Sequence, residues 1–385
     1  MKKNIHIIGA GLAGLAAAIK LQNENVTVYE IAEHAGGRCF SYHDKPLNCE
    51  INNGSHLILG CNKSVLEYIK LIKSEELFEP ILPANYDFFD VKTKERWALK
   101  KLPRVSFLES IKLLLAKKHH TIDDIFNQNT EDYKKFIKPF AISALNTSPD
   151  KASAIMLRKV VLKMAFCRNG FVPYIAKKPL SKCLVEPALK YIPNIKYNTK
   201  LTALQHNENT ITKLIFSNNE IPLTKNDIVI LAVPAYVASK LLPEMQFPNE
   251  FSSIINLHFA YDTKKITQKM MGLIGGISEW IFINDGVISV TISAADHLLK
   301  EDIKQIVWDE IQEALGIKAD IPQCKIIKDK RSTFLATPEN IARRPSQKTQ
   351  YKNLFLAGNF VDTQIPATLE SAIKSGFDVA KKIYM

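Results

Sequence analysis

Residues 4–9, with isoleucines at 5, 7 and 8, read as a buried strand, residues 12–22 place small and apolar side chains at helical spacing, and residues 26–30 alternate like a second strand. Strand, helix and strand within thirty residues predict a βαβ unit with its two strands parallel. Past about residue 62 the alternation stops, and helix-period segments take over at 64–72, 107–118, 132–142 and 152–166. Strand patterns return at 195–204 and 211–216. The run 227–232 is apolar without alternation, as expected of a strand buried on both faces, and ends at Val233-Pro234. A second excursion follows, with strands at 272–283 and 287–292, a helix over 294–315 and a strand over 324–334. The chain closes with a strand at 353–357 and a helix that starts near Pro366-Ala367, where proline suits a first turn, and runs towards residue 383.

This order predicts an α/β protein of two interleaved units. Residues 1–62, 193–245 and 350–385 build a dinucleotide-binding domain, and residues 63–192 and 246–349 build a mixed α+β substrate domain. There is no internal repeat and no low-complexity linker, so the two are expected to pack through several chain crossings.

Composition narrows the class. With 385 residues, 46% of them hydrophobic and 23% charged, the chain is a folded protein with ample core. Lys and Arg number 51 against 39 Asp and Glu, a formal charge of +12, but they are scattered through the chain and form no basic tail. That balance favours anionic surfaces or ligands in general, and no nucleic-acid partner is expected. Cys39, Cys49, Cys61, Cys167, Cys183 and Cys324 include no C-x-x-C pair, and His119-His120 are adjacent, which suits no single ligand face. Reduced thiols in the cytoplasm and no metal site are expected. Lys2-Lys3 before an uncharged stretch resembles the start of a signal peptide. That stretch is interrupted by glycines, lacks an A-x-A cleavage site and is too short to span a bilayer. Any membrane contact is then expected to be peripheral.

The chemistry starts at Gly9-Ala10-Gly11-Leu12-Ala13-Gly14, between the first strand and helix, with Glu30 closing the next strand. Glycines there let the backbone approach a diphosphate at a helix N-terminus, and the acid accepts from ribose hydroxyls. By themselves these residues leave NAD and FAD both open. Gly36-Gly37-Arg38 follows at once, and with it the sequence resembles the flavin amine oxidase and phytoene desaturase superfamily, which implies FAD and a glutathione-reductase-like fold. Where that pattern often has a further arginine, this chain has His34. Leu354-Phe355-Leu356-Ala357-Gly358-Asn359, followed by Pro366-Ala367-Thr368-Leu369-Glu370, resembles the second flavin signature of the superfamily, with Asn359 in place of its aspartate. The resemblance implies cofactor contacts from the first glycine turn, Glu30, Gly36, Gly37, Arg38, Gly54, Ser55, His56, Leu201, Gly358, Asn359, Pro366, Ala367 and Leu369. A helix opening near Ala367 is expected to direct its positive end at the flavin.

Asn53-Gly54-Ser55-His56, Ala144-Leu145-Asn146-Thr147, Trp280-Ile281-Phe282, Lys330-Arg331 and Arg344-Pro345, in this order between the two signatures, are similar to the hydroxysqualene dehydroxylase group. That resemblance spans nearly the whole chain and implies reductive removal of an allylic hydroxyl from a C30 isoprenoid to give squalene, a hopanoid or triterpenoid precursor. It also implies upstream isoprenoid synthases as pathway neighbours. Carotenoid desaturation and amine oxidation share the cofactor signatures, and a flavin- or isoprenoid-binding protein without turnover is the non-enzymatic alternative. Loss of a hydroxyl calls for a proton donor and aromatic walls that tolerate positive charge. His56, Trp280 and Phe282 are the candidates. Trp280 and Phe282 share one strand face, and His56 follows a glycine turn; each also reads as an ordinary structural residue. Residues 102–118 mix Leu, Phe and Ile with Arg104, Lys112, Lys117 and Lys118, the pattern either of a membrane-surface segment or of a covering helix.

Overall fold

The computed structural model describes residues 2–103 and 105–384; Arg104 of the amphipathic segment lies outside the described residues. Strands Ile195–Lys196, Asn25–Tyr29, Asn4–Ile8, Asp227–Leu231 and Leu354–Leu356 lie in that spatial order as an all-parallel sheet. Alternation along the strands feeds two cores. Ile5, Ile7, Val28 and Ile230 face helices Leu12–Lys20 and Leu369–Lys382. Ile8, Tyr29, Val229 and Leu231 face an antiparallel sheet of Leu201–His206, Ile211–Phe216 and Glu220–Pro222. Covered on both sides, Asp227–Leu231 is buried throughout, which is why it reads as a continuous apolar run. The two helices meet closely at Gly376, where an added Cβ would lie 2.3 Å from the Ala13 carbonyl oxygen. Helix Lys63–Leu71 and residues 180–192, expected in the second unit, bury Val65, Tyr68, Leu184 and Ala188 in this first core.

The second sheet has seven strands in the order Cys324–Phe334, Phe251–Ala260, Val287–Ile292, Trp280–Asn284, Met270–Ile274, Tyr86–Asp90 and Arg96–Leu99. One face, with Ile255, Leu257, Phe259, Ile281 and Val290, is closed by helix Lys304–Leu315 through Val307, Trp308 and Ile311. The other, carrying Asn256, Thr291, Trp280 and Phe88 in one cross-strand row, turns towards the first unit, where Asn256 Nδ2 donates to the Asn53 carbonyl at 3.3 Å. A helical layer of Phe107–Leu114, Lys138–Leu145 and Ala154–Phe166 packs around Leu113, Ala141 and Leu157. Among the described residues, no helix is long and apolar enough to cross a membrane.

Several expected elements are redrawn. The strand expected over 195–204 splits where Asn198 takes a positive φ of 52°, and the one over 272–283 folds back at Gly275, φ 78°. The helix over 294–315 is a short 3-10 turn, Ala295–Leu298, followed by Lys304–Leu315. The helix over 107–118 stops at Leu114. Tyr86–Asp90 and Arg96–Leu99 are strands inside a stretch expected to be largely helical, and Phe251–Ala260 went unread.

Candidate active site

The first glycine turn divides its glycines by task. A Cβ on Gly9, whose φ is 105°, would lie 2.5 Å from the Ala232 carbonyl oxygen, and one on Gly14 would lie 2.0 Å from that of Gly9. Only glycine fits there, because backbone passes against backbone. Gly11 is different: a Cβ on it would meet nothing within 4 Å. Gly11 is also the N-cap of helix Leu12–Lys20, with no side chain capping the first turn and no acid in it. Open room before a helix end whose N–H groups lack a side-chain cap suits a diphosphate. Ala10, Leu12 and Ala13 are buried behind it.

Glu30, also buried, accepts from the Ala10 N–H at 2.7 Å and the Ala32 N–H at 2.9 Å, fixing the turn and setting a carboxylate at the end of its strand. Gly36, φ 110°, donates its N–H to the Ala10 carbonyl at 2.9 Å, and Gly37 passes within 3.3 Å, Cβ position to Cα, of Gly11. The second glycine turn therefore lies against the first. Both fit a dinucleotide in this structure.

Arg38 extends from there to the C-terminal signature, where its Nη2 donates to Asn359 Oδ1 at 3.1 Å and its Nη1 donates to the Ser332 carbonyl. Desolvation lowers the guanidinium from its ordinary pKa. Arg38, Asn359, Tyr236, Arg331 and Thr333 line one cleft, and Arg331 also stacks over the Tyr236 ring at 4.9 Å. Lys330 is exposed beside it. His34 stacks face to face on Phe40, ring centroids 3.5 Å apart, so the position of the missing arginine holds an aromatic pair instead.

Gly358, φ 142°, gives its N–H to Ser375 Oγ at 2.7 Å. The loop after it is gathered by Arg344, whose role sequence reasoning missed. Its buried guanidinium donates to the carbonyls of Asn359, Phe360, Val361 and Ile365 at 2.5–3.4 Å. Burial lowers its pKa to about 10. The helix expected from Ala367 starts at Leu369, with Thr368 Oγ1 accepting from the Ser371 N–H at 3.3 Å. Its N-terminus is thus capped by its own chain, and Pro366 and Ala367 belong to the preceding loop. Glu370, 1% exposed, accepts from the N–H groups of Ser64 and Val65 and from Lys163 Nζ at 2.6 Å, joining three elements. Leu369 packs against the first core, and Leu201 is buried in the second.

A second cleft brings Ser55 and His56 together with Phe282, Asn52, Lys178 and Lys269. Gly54 is held against the seven-stranded sheet, the Asn256 amide lying 3.4 Å from its Cβ position. His56 is exposed to this groove. Desolvation and the Arg38 charge lower it to about 4, so it is neutral at neutral pH. Trp280 stays out of the cleft lining. Its Nε1 donates to Ser143 Oγ at 2.7 Å, and its ring packs edge-on against Phe88 at 5.5 Å within a cluster that includes Tyr86, Trp97 and Phe171. Phe282 is on the same strand face and reaches the groove. One residue before Trp280, Glu279 accepts from the Ser293 N–H at 2.8 Å, and burial raises its carboxyl to about 7. Its side chain is not part of the cleft lining.

A family model described as flavin containing amine oxidoreductase matches residues 180–384, and one described as NAD(P)-binding Rossmann-like domain matches residues 7–70. The chain is 38% identical over 400 residues to the hydroxysqualene dehydroxylase of Zymomonas mobilis, with 96% of each chain covered. It is 35% identical over 408 residues to that of Sinorhizobium fredii, covering 98% of this chain and 97% of the relative. Among solved structures, cyclohexylamine oxidase from Brevibacterium oxydans superposes with a TM-score of 0.76 at 14% identity, covering 100% of this chain and 99% of that one, a likeness of fold.

Proposed function

Because the chain belongs to the hydroxysqualene dehydroxylase family, within the flavin containing amine oxidoreductases, we propose that it reductively removes the hydroxyl of hydroxysqualene to give squalene. It is an FAD-dependent oxidoreductase. When bound, FAD supplies the hydride that replaces the hydroxyl, and a two-electron reductant outside the chain restores it. In this reading the hydroxyl leaves as water with one added proton, and the carbon gains hydrogen.

The observation that carries the reading is the convergence of Ser55, His56 and Phe282 in one cleft while Arg38 links the glycine turns to Asn359. Gly11 leaves room for the diphosphate, Gly36 and Gly37 bring the second turn against the first, the uncapped end of helix Leu12–Lys20 attracts the charge, and Glu30 takes the ribose. Phe282, backed by the aromatic cluster, offers ring faces that tolerate positive charge and give no nucleophile. His56, being neutral, shapes the groove and holds no spare proton at pH 7.

A substrate of this kind is a long-chain isoprenoid that resides in lipid. The reading therefore includes peripheral contact with the inner face of a membrane and isoprenoid synthases as pathway neighbours. Anaerobic incubation of the reduced holoprotein with hydroxysqualene, followed by mass spectrometry of the extracted lipid, tests it. Squalene is expected, and recovery of the alcohol alone would overturn it.

A further inference from the structure

Helix Phe107–Leu114 is turned the wrong way round for an ordinary surface helix. Its apolar residues Phe107, Leu108, Ile111, Leu114 and Leu115 recur at i, i+1, i+4, i+7 and i+8, the spacing of a single stripe. In a covering helix that stripe faces the core. Here Phe107 is 79% exposed, Leu108 70%, Leu114 53% and Leu115 72%, and Leu113 is the helix's one buried residue.

The helix is nevertheless firmly placed. Ser106 Oγ caps it by accepting from the Glu109 N–H, Leu113 enters the core that holds Ile137, Ala141 and Leu145, and Arg158 Nη1 donates to the Leu114 carbonyl at 2.6 Å. The neighbouring helix that supplies Arg158 ends in Phe166, itself 85% exposed. Of ten exposed large hydrophobic residues among those described, five are on this pair of helices or directly follow it, so the exposure is concentrated rather than scattered.

Charge says what would cover it. Lys112, Lys117 and Lys118 are exposed on and just after the helix, Lys100 and Lys101 are exposed before it in the chain, and none of the five forms an ion pair among the described residues. The nearby acid, Glu109, is already engaged by the Asn127 N–H and Ser106 Oγ. An apolar stripe flanked by unpaired lysines is complementary to acyl chains beneath anionic headgroups. We infer that the exposed face of helix Phe107–Leu114 docks on an anionic lipid bilayer, with Phe107, Leu108, Leu114 and Leu115 entering the interface and the surrounding lysines engaging headgroups. The surface belongs to the layer in which Ser143 holds Trp280, so docking sets lipid beside the elements that back the cleft. It gives a location to the peripheral contact named with the functional reading, but its test needs no turnover.

The test is co-sedimentation of the holoprotein with phosphatidylcholine vesicles, with and without about one third phosphatidylglycerol. The wild type is expected to bind the anionic vesicles, and salt to weaken the binding. Phe107→Ser/Leu108→Ser/Leu115→Ser is expected to cut the bound fraction about tenfold. Lys112→Gln/Lys117→Gln/Lys118→Gln is expected to abolish the preference for anionic vesicles. Both variants change exposed side chains, and unchanged flavin content and melting temperature will show that they are folded. No vesicle binding by the wild type, or equal binding by the apolar variant, would overturn the inference. So would a dimer in sedimentation velocity that the apolar variant dissociates, since the stripe would then be covered by a second copy. Vesicle binding without squalene formation would remove the functional reading and leave the surface standing; squalene formation without vesicle binding would do the reverse.

Discussion

The glycine turn at Gly9–Gly14 and the aromatic face of the seven-stranded sheet are specified in different ways. The turn is set by backbone: carbonyls occupy the space that side chains at Gly9 and Gly14 would need, whereas the space at Gly11 is open and goes to the diphosphate in the proposed function. The sheet face is set by side chains brought from far apart, with Asn256, Thr291, Trp280 and Phe88 aligned only by strand pairing. Backbone constraints are local and leave a motif in the chain. A packed face assembled across strands leaves none.

The sharpest way to break this comparison is inside the turn itself. Gly14→Val, forced against the Gly9 carbonyl, is expected to prevent accumulation of folded protein, whereas Gly11→Ala is expected to keep the melting temperature near wild type while flavin content after purification falls about tenfold or more. Equal loss of fold in both would erase the distinction between structural and ligand-facing glycines. Next in size is Arg344→Leu, which orphans four loop carbonyls and is expected to cost about 3 kcal/mol in urea unfolding and loosen the loop bearing Asn359.

A pH effect tests the sheet side. His258, fully buried with Nδ1 paired to Ser289 Oγ at 2.8 Å, is lowered by burial to about 4 from an ordinary 6.5. A depressed histidine binds fewer protons folded than unfolded, so its contribution is full above pH 6.5 and lost as pH falls towards 4, up to about 3 kcal/mol. His258→Gln is expected to flatten that acid limb in denaturation at stepped pH. Glu279, raised by burial, has the opposite sign: its contribution is lost as pH rises through about 7. Smallest is Trp280→Phe, which keeps the ring packing and removes the bond to Ser143, with an expected loss of about 1 kcal/mol and unchanged flavin content.

The same division explains what was legible in the chain. The βαβ unit, both glycine turns and the closing strand were readable because apolar runs and special backbone positions mark them. Strand Phe251–Ala260 was not, since Ser252, Ser253, Asn256 and His258 interrupt its apolar pattern while being buried by the neighbouring strands and the first unit. Arg344 read only as part of a resemblance, because its four acceptors lie in a loop fifteen to twenty-one residues later. His56 was visible as a polar residue after a glycine, but its lowered pKa comes from desolvation in the groove and from the Arg38 charge, which only the fold supplies. The start of the terminal helix moved from Ala367 to Leu369 because Thr368 outcompetes proline's preference for a first turn by capping the helix.

In the proposed function, reducing equivalents pass from the flavin to the carbon that loses the hydroxyl. The most direct measurement is a single anaerobic turnover of photoreduced holoprotein with hydroxysqualene, following flavin absorbance and squalene together. The account predicts squalene appearing in step with flavin reoxidation, about one per flavin, by the two-electron balance of the reaction. Flavin that stays reduced while the alcohol is recovered unchanged would contradict it.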